Sequence, residues 1–128
     1  MAGDCFSVAV HAVIEDETLY VAHGYVTSRS PGGTAPVGMR HWHAWAEDEM
    51  TVDHPALPVP FVSVLCIDRS NGLDVTLPRT TYYALGSIDS GQVRRYTAAE
   101  VADAIRRFGH YGPWDDEHPP GCPETAGP

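Results

Sequence analysis

The sequence is poor in basic residues, with 8 Lys and Arg against 17 Asp and Glu and a formal net charge of −9. Nucleic-acid backbones and anionic membrane surfaces are bound mainly through Lys and Arg, so this balance argues against both kinds of partner. The acidic residues are scattered apart from one cluster at Asp115-Asp116-Glu117. We expect them to serve solubility.

Cysteines and long apolar runs are also scarce. None of the apolar stretches is long enough to span a bilayer, and the N-terminus lacks the basic and apolar regions of a signal peptide. The three cysteines, Cys5, Cys66 and Cys122, are widely spaced and include no C-x-x-C pair. We therefore expect reduced thiols in a cytoplasmic protein, with neither a disulfide scaffold nor a structural zinc site.

What the sequence contains indicates one α+β domain over residues 1–114, followed by an acidic, Pro/Gly-rich tail over residues 115–128. A helix is predicted from Cys5 to about Asp16, with Asp4 as its cap. Apolar and β-branched runs predict strands over residues 19–27, 39–47, 50–53, 61–67 and 73–77. Residues 80–85 fit a strand or a helix. Residues 97–108 predict a second helix, with a capping box at Thr97 and Glu100 and a stop at Gly109.

Residues 43–55 carry the most informative pattern, because they read as two short strands joined by an acidic turn at Asp48-Glu49. His43 lies on the first strand and Asp53 near the end of the second. A two-residue turn would place His43 opposite His54, so we expect a three-residue turn or a bulge that brings Asp53 to face His43. With Cys5 upstream, these residues supply a nucleophile, a base and an orienting carboxylate.

The pattern H-A-W-A-E followed by V-D-H-P resembles the His and Asp strands of the transglutaminase-like branch of the papain-like cysteine hydrolases. This resemblance covers roughly the first half of the chain, and the segment from Gly109 to Trp114 is similar to small phage or actinobacterial proteins of the same type. It implies an N-terminal helix packed on an antiparallel sheet, a papain-like core and a C-terminal helix. The sequence departs from the family because no glutamine precedes Cys5 as an oxyanion donor.

The resemblance implies a cysteine-dependent hydrolase or acyl transferase that acts on an amide or thioester bond of a protein or peptide, without a cofactor. Cys5 would be the nucleophile, since a helix N-terminus stabilises a thiolate. His43 would be the general base and Asp53 would orient it. We expect the substrate cleft to be lined by aromatic residues: Trp42, Trp45, His110 and Trp114.

Two other interpretations stay open. In the first interpretation, the protein is a non-catalytic binding module of papain-like shape whose acidic face suits a basic protein partner. Alternatively, His41, His43 and Glu47 share one strand face and match the first half of a cupin-type metal site. The later histidines that the second half would need, His110 and His118, fall past the predicted second helix. Cys5 could also be a small buried residue of the core.

Overall fold

This computed structural model describes residues 4–27, 38–52, 55–56, 59 and 61–114. The first element is helix α1 (Cys5–Glu15). Its apolar residues recur at helical spacing, and Phe6, Val10 and Val13 are all buried. Asp4 occupies the N-cap position as predicted, but its side chain accepts no capping hydrogen bond. Burial of one apolar face therefore stabilises this helix more than its cap does.

A five-stranded antiparallel sheet lies at the centre of the molecule. Its strands are β1 (Tyr20–Thr27), β2 (Arg40–Val52), β3 (Phe61–Asp68), β4 (Val75–Pro78) and β5 (Arg94–Tyr96). They lie in the spatial order β4-β3-β2-β1-β5. The predicted α+β class, with the N-terminal helix packed on an antiparallel sheet, is confirmed; the papain-like core stays a prediction.

Strand β2 is continuous, so the predicted hairpin turn at Asp48-Glu49 is wrong. The first half of β2 pairs with β1 and its second half pairs with β3. Residues 46–51 include no glycine, asparagine or proline that would favour a turn. Arg95 forms one ion pair with Glu49 of the predicted turn and another with Glu47, so both of these charges are paired within the sheet.

Two further helices complete the described fold. Helix α2 (Arg79–Gly86) occupies the segment whose sequence fitted either a helix or a strand. Helix α3 (Ala98–Phe108) has the predicted capping box, in which Thr97 and Glu100 exchange hydrogen bonds. Gly109 ends it with φ of 75°, a conformation that favours glycine. None of the described helices is long and apolar enough to cross a membrane.

The sheet separates two cores. We call the side that packs against α1 and α3 the α1 face, and the opposite side, covered by α2, the α2 face. Strand alternation divides β2 between them. Trp42, Ala44 and Ala46 point to the α1 face, whereas His43, Trp45 and Glu47 point to the α2 face. Consecutive residues of β2 therefore point into different cores.

Candidate functional site

The predicted nucleophile does not lie in a cleft. Cys5 has no exposed surface and packs in the core of the α1 face beside Trp42 and Ala44. It is disulfide-bonded, so the expectation of reduced thiols is wrong for Cys5, because an odd number of cysteines still allows one pair. Cys66 is free and buried, and Cys122 lies outside the described residues. A disulfide sulfur has no thiolate to offer as a nucleophile.

The predicted base lies on the other side of the sheet from Cys5. His43 points to the α2 face, where its imidazole contacts Asp68. The predicted third member, Asp53, lies outside the described residues. Val52, which precedes it, is nine residues (52 − 43) along the same strand from His43, or about 30 Å. The fold thus does not bring Cys5 and His43 together, and β2 runs away from His43 toward position 53.

The four aromatic residues predicted to line a cleft are divided between the two faces. Trp42 and Trp114 are buried in the core of the α1 face. Trp114 also donates a hydrogen bond of 2.8 Å to the carbonyl of the exposed His110, which fixes the segment after α3. Trp45 alone shares the α2 face with His43, and their rings stack at a centroid distance of 6.3 Å. These residues do not form one cleft.

The cupin-like residues His41, His43 and Glu47 share a strand face, as predicted, but His43 and Glu47 form hydrogen bonds with other side chains. His43 binds Asp68, and Glu47 accepts hydrogen bonds from Trp45 and Tyr83. Within the described part of the chain, no three His, Cys, Asp or Glu side chains are grouped closely enough to hold a metal ion. His41 and His43 contact each other through their rings, at a centroid distance of 5.7 Å.

The α2 face contains a polar cluster centred on Asp68 at the end of β3. Asp68 Oδ2 accepts hydrogen bonds from His43 Nε2 at 2.9 Å and from the Tyr82 hydroxyl at 2.6 Å. Its Oδ1 accepts from the Ser70 backbone N–H at 3.0 Å and from the Ser70 hydroxyl at 2.6 Å. Both carboxylate oxygens are thus fully used, and three separate elements of the chain meet at one anion.

Asp68 is ionised in this arrangement. Burial by itself would raise its pKa, but the hydrogen bond and the electrostatic attraction of His43, followed by the hydrogen bonds from Ser70 and Tyr82, lower the pKa to about 2. A carboxylate can only accept, so Nε2 of His43 must carry the proton that joins them. Burial, followed by the charge of Asp68, raises the pKa of Tyr82 well above its usual value. The phenol therefore stays protonated and donates.

A groove of about 590 Å³ opens over this cluster. His43, Asp68 and Tyr82 form its polar base, and its walls are otherwise mainly apolar: Val26, Thr27, Leu73, Val75, Leu77, Leu85 and Gly86. Leu73 and Leu85 are 50% and 55% exposed, so two large apolar side chains line this concave surface and remain open to solvent. The volume falls in the range of small-ligand and side-chain pockets.

A second carboxylate cluster lies deeper on the same face. Glu47 accepts hydrogen bonds from Trp45 Nε1 at 2.9 Å, from the Tyr83 hydroxyl at 2.5 Å and from the Cys66 thiol at 3.6 Å. Its other oxygen lies 2.8 Å from Arg95 Nε, an ion-pair contact without hydrogen-bond alignment. Burial and the negative charge of Glu47 raise the pKa of Cys66, which therefore stays a thiol and a poor nucleophile.

Sequence reasoning gave Asp68 and Ser70 no role at a site, and considered Tyr82 only as one of several C-terminal aromatic residues that could line a cleft beside His43. Asp68 and Ser70 lie in a stretch whose sequence is typical of a turn. The structure has such a turn, in which the Asp68 side chain accepts a hydrogen bond from the Ser70 backbone N–H. Tyr82 belongs to the segment of undecided structure. An Asp-x-Ser at the end of an apolar strand was an available signal, because an Asp side chain can accept a hydrogen bond from the backbone two residues on and is then fixed at the strand end.

In comparisons with known proteins, no family model, curated protein or solved structure matches this chain.

Proposed function

We propose that this protein is a binding module that takes an apolar segment of a protein partner in the groove beside α2. The observation that supports this most is the pairing of the exposed Leu73 and Leu85 with a polar base of fixed geometry. Ligand sites generally combine apolar walls with a few placed polar groups. The hydrogen bonds around Asp68 hold those polar groups in place before any ligand arrives.

Binding is favoured over covalent chemistry because the groove offers no activated nucleophile among the described residues that line it. The Ser70 hydroxyl donates its proton to Asp68 rather than to His43, so the two do not form a serine–histidine pair. Cys66 contacts Glu47 and has a raised pKa. Cys5 is disulfide-bonded on the opposite face. An acyl-enzyme mechanism needs a nucleophile within reach of its base.

The groove can be tested with N-phenyl-1-naphthylamine, an uncharged dye that fluoresces on entering apolar sites. The informative variant is Leu85→Gln, which changes a groove wall without adding charge. Its matched control is Ile14→Gln, since Ile14 is also helical and is 59% exposed but lies on α1. We expect the wild type and the Ile14→Gln variant to bind the dye alike. Leu85→Gln should weaken binding by about tenfold, the effect of roughly one buried apolar contact.

Two results would overturn this proposal. One is dye binding that Leu85→Gln leaves unchanged, which would place the apolar site elsewhere. The other is an equal loss in Leu85→Gln and Ile14→Gln, which would indicate nonspecific surface adsorption. Circular dichroism of both variants should match that of the wild type, because both positions are largely exposed on helices.

A further inference from the structure

We infer that the group recognised at the base of the groove is an alkylammonium, supplied by a lysine side chain of the partner protein. This inference rests on the proposed function, because it specifies which polar group accompanies the apolar segment. It follows from three features of the site, which are its charge, its remaining hydrogen-bonding capacity and its apolar walls.

The charge of the groove favours a cation. Asp68 is an ionised carboxylate, and the described residues that line the groove include no Arg or Lys. The partners Ser70 and Tyr82 are neutral donors that leave the charge of Asp68 in place, and the groove opens onto that charge. This charge sits in a partly buried site, where the attraction between opposite charges exceeds that in bulk water.

The hydrogen-bonding capacity of the base also favours an N–H donor as the ligand group. Tyr82 uses its one proton to reach Asp68, so lone pairs on the phenol oxygen are what it can offer to a ligand. A ligand carboxylate or phosphate would meet an acceptor and an anion. An ammonium group would instead donate to the Tyr82 oxygen and lie near the charge of Asp68.

The form of the cation is restricted by the same contacts. A guanidinium binds best by two parallel hydrogen bonds to one carboxylate, and both oxygens of Asp68 are already occupied. An ammonium is a compact charge that needs no such pairing. The four methylene groups of a lysine would lie along the apolar walls beside Leu73 and Leu85.

A second copy of this chain cannot supply the lysine. All 8 basic residues of the sequence are arginines, and lysine is absent. The ligand group must therefore come from another molecule. The net charge of −9 favours a basic partner on longer-range electrostatic grounds.

The test is displacement of N-phenyl-1-naphthylamine from the wild-type protein, at pH 8 and low salt. The competitors are capped peptides of the form acetyl-Leu-X-Leu-amide, in which X is Lys, norleucine, Arg or Glu. Norleucine has nearly the length of lysine without its charge. We expect the Lys peptide to bind about tenfold more tightly than the norleucine peptide, and the Glu peptide to bind most weakly. Hexylammonium, as a free amine, should compete less well than the Lys peptide.

Each outcome of this series has one meaning. A norleucine or Glu peptide that binds as well as the Lys peptide overturns the inference, and so does an Arg peptide that binds more tightly. Hexylammonium that competes as well as the Lys peptide overturns the assignment to a protein partner. If the dye binds in the groove and only the charge series fails, the proposed function survives without this inference. If Leu85→Gln leaves dye binding unchanged, the proposed function itself fails.

A pair of tyrosine variants locates the contact. Tyr82→Phe removes the phenol oxygen at the groove, whereas Tyr83→Phe removes a neighbouring hydroxyl that binds Glu47 outside it. We expect Tyr82→Phe to reduce the preference for Lys over norleucine several-fold, and Tyr83→Phe to retain it. A preference that Tyr82→Phe leaves intact would overturn the proposed contact. If a variant does not fold, the peptide series on the wild type still decides the inference.

Discussion

The α2 face holds two buried carboxylates that the fold treats differently. Asp68 and Glu47 each accept a hydrogen bond from one of two adjacent tyrosines of α2, Tyr82 and Tyr83. Glu47 has no exposed surface and is neutralised by Arg95. Asp68 is 5% exposed, lines a groove and is held by hydrogen bonds from an imidazole and two hydroxyl side chains. Glu47 is therefore neutralised within the fold, whereas the charge of Asp68 lies at a groove that a ligand can enter.

This difference assigns the Glu47 cluster to structure and the Asp68 cluster to recognition. Arg95 belongs to β5 and Glu47 to β2, so their ion pair crosses β1 and ties an edge strand to the centre of the sheet. The Asp68 cluster ties β2, β3 and α2 together as well, but through hydrogen bonds from an imidazole and a phenol, beside a concave surface. The comparison therefore predicts unequal effects on stability and on binding.

The largest effect on stability is expected from Glu47→Ala. Removing one member of a buried ion pair leaves its partners without compensation, which costs about 3–5 kcal/mol. The control is Glu49→Ala, since Glu49 binds the same Arg95 from the same strand but is one-third exposed. Its loss should stay below about 1 kcal/mol. Urea unfolding followed by circular dichroism measures both, and equal losses would refute a structural role particular to Glu47.

Asp68 should contribute stability that depends on pH. Its pKa is lowered from the ordinary 3.8 to about 2 in the folded protein, so the unfolded chain takes up the proton first as the pH falls. The contribution is complete above about pH 4 and is lost as the pH falls through about 2. It amounts to about 2 kcal/mol.

The measurement is the free energy of unfolding of the wild type and Asp68→Asn between pH 6 and pH 2. The difference between them should shrink over the lower half of this range. The control is Asp74→Asn, because Asp74 is mostly exposed in its ion pair with Arg69 and should contribute little at any pH. A difference for Asp68→Asn that stays constant down to pH 2 would contradict the lowered pKa.

The parts of this fold that the sequence predicted depend on local signals. Helix α3 follows from a capping box and a closing glycine within one short segment, and α1 from apolar spacing. Strands β1 and β3 follow from runs of apolar and β-branched residues. In each case the residues that determine the element lie inside it or next to it.

The predictions that were wrong concern residues whose interaction partners are distant in sequence. Asp48-Glu49 was predicted to form an acidic turn, whereas Glu49 lies within β2 and pairs with Arg95 of another strand. His43 was paired with a nearby aspartate, whereas its observed partner, Asp68, is 25 residues away. Local pattern gives no information on which strand will lie beside β2. The candidate site was therefore missed although its elements were largely predicted.

The smallest and most specific test compares the two tyrosines by stability alone. Tyr83→Phe leaves Glu47 short of a donor in a site without solvent access, while Tyr82→Phe leaves Asp68 at a groove that water can enter. A water molecule can replace the lost donor only at Asp68. Tyr83→Phe should therefore cost about 1 kcal/mol more than Tyr82→Phe in urea unfolding. Equal costs would mean that water does not reach Asp68, and the groove would then be too closed at its base for a ligand group to contact the cluster.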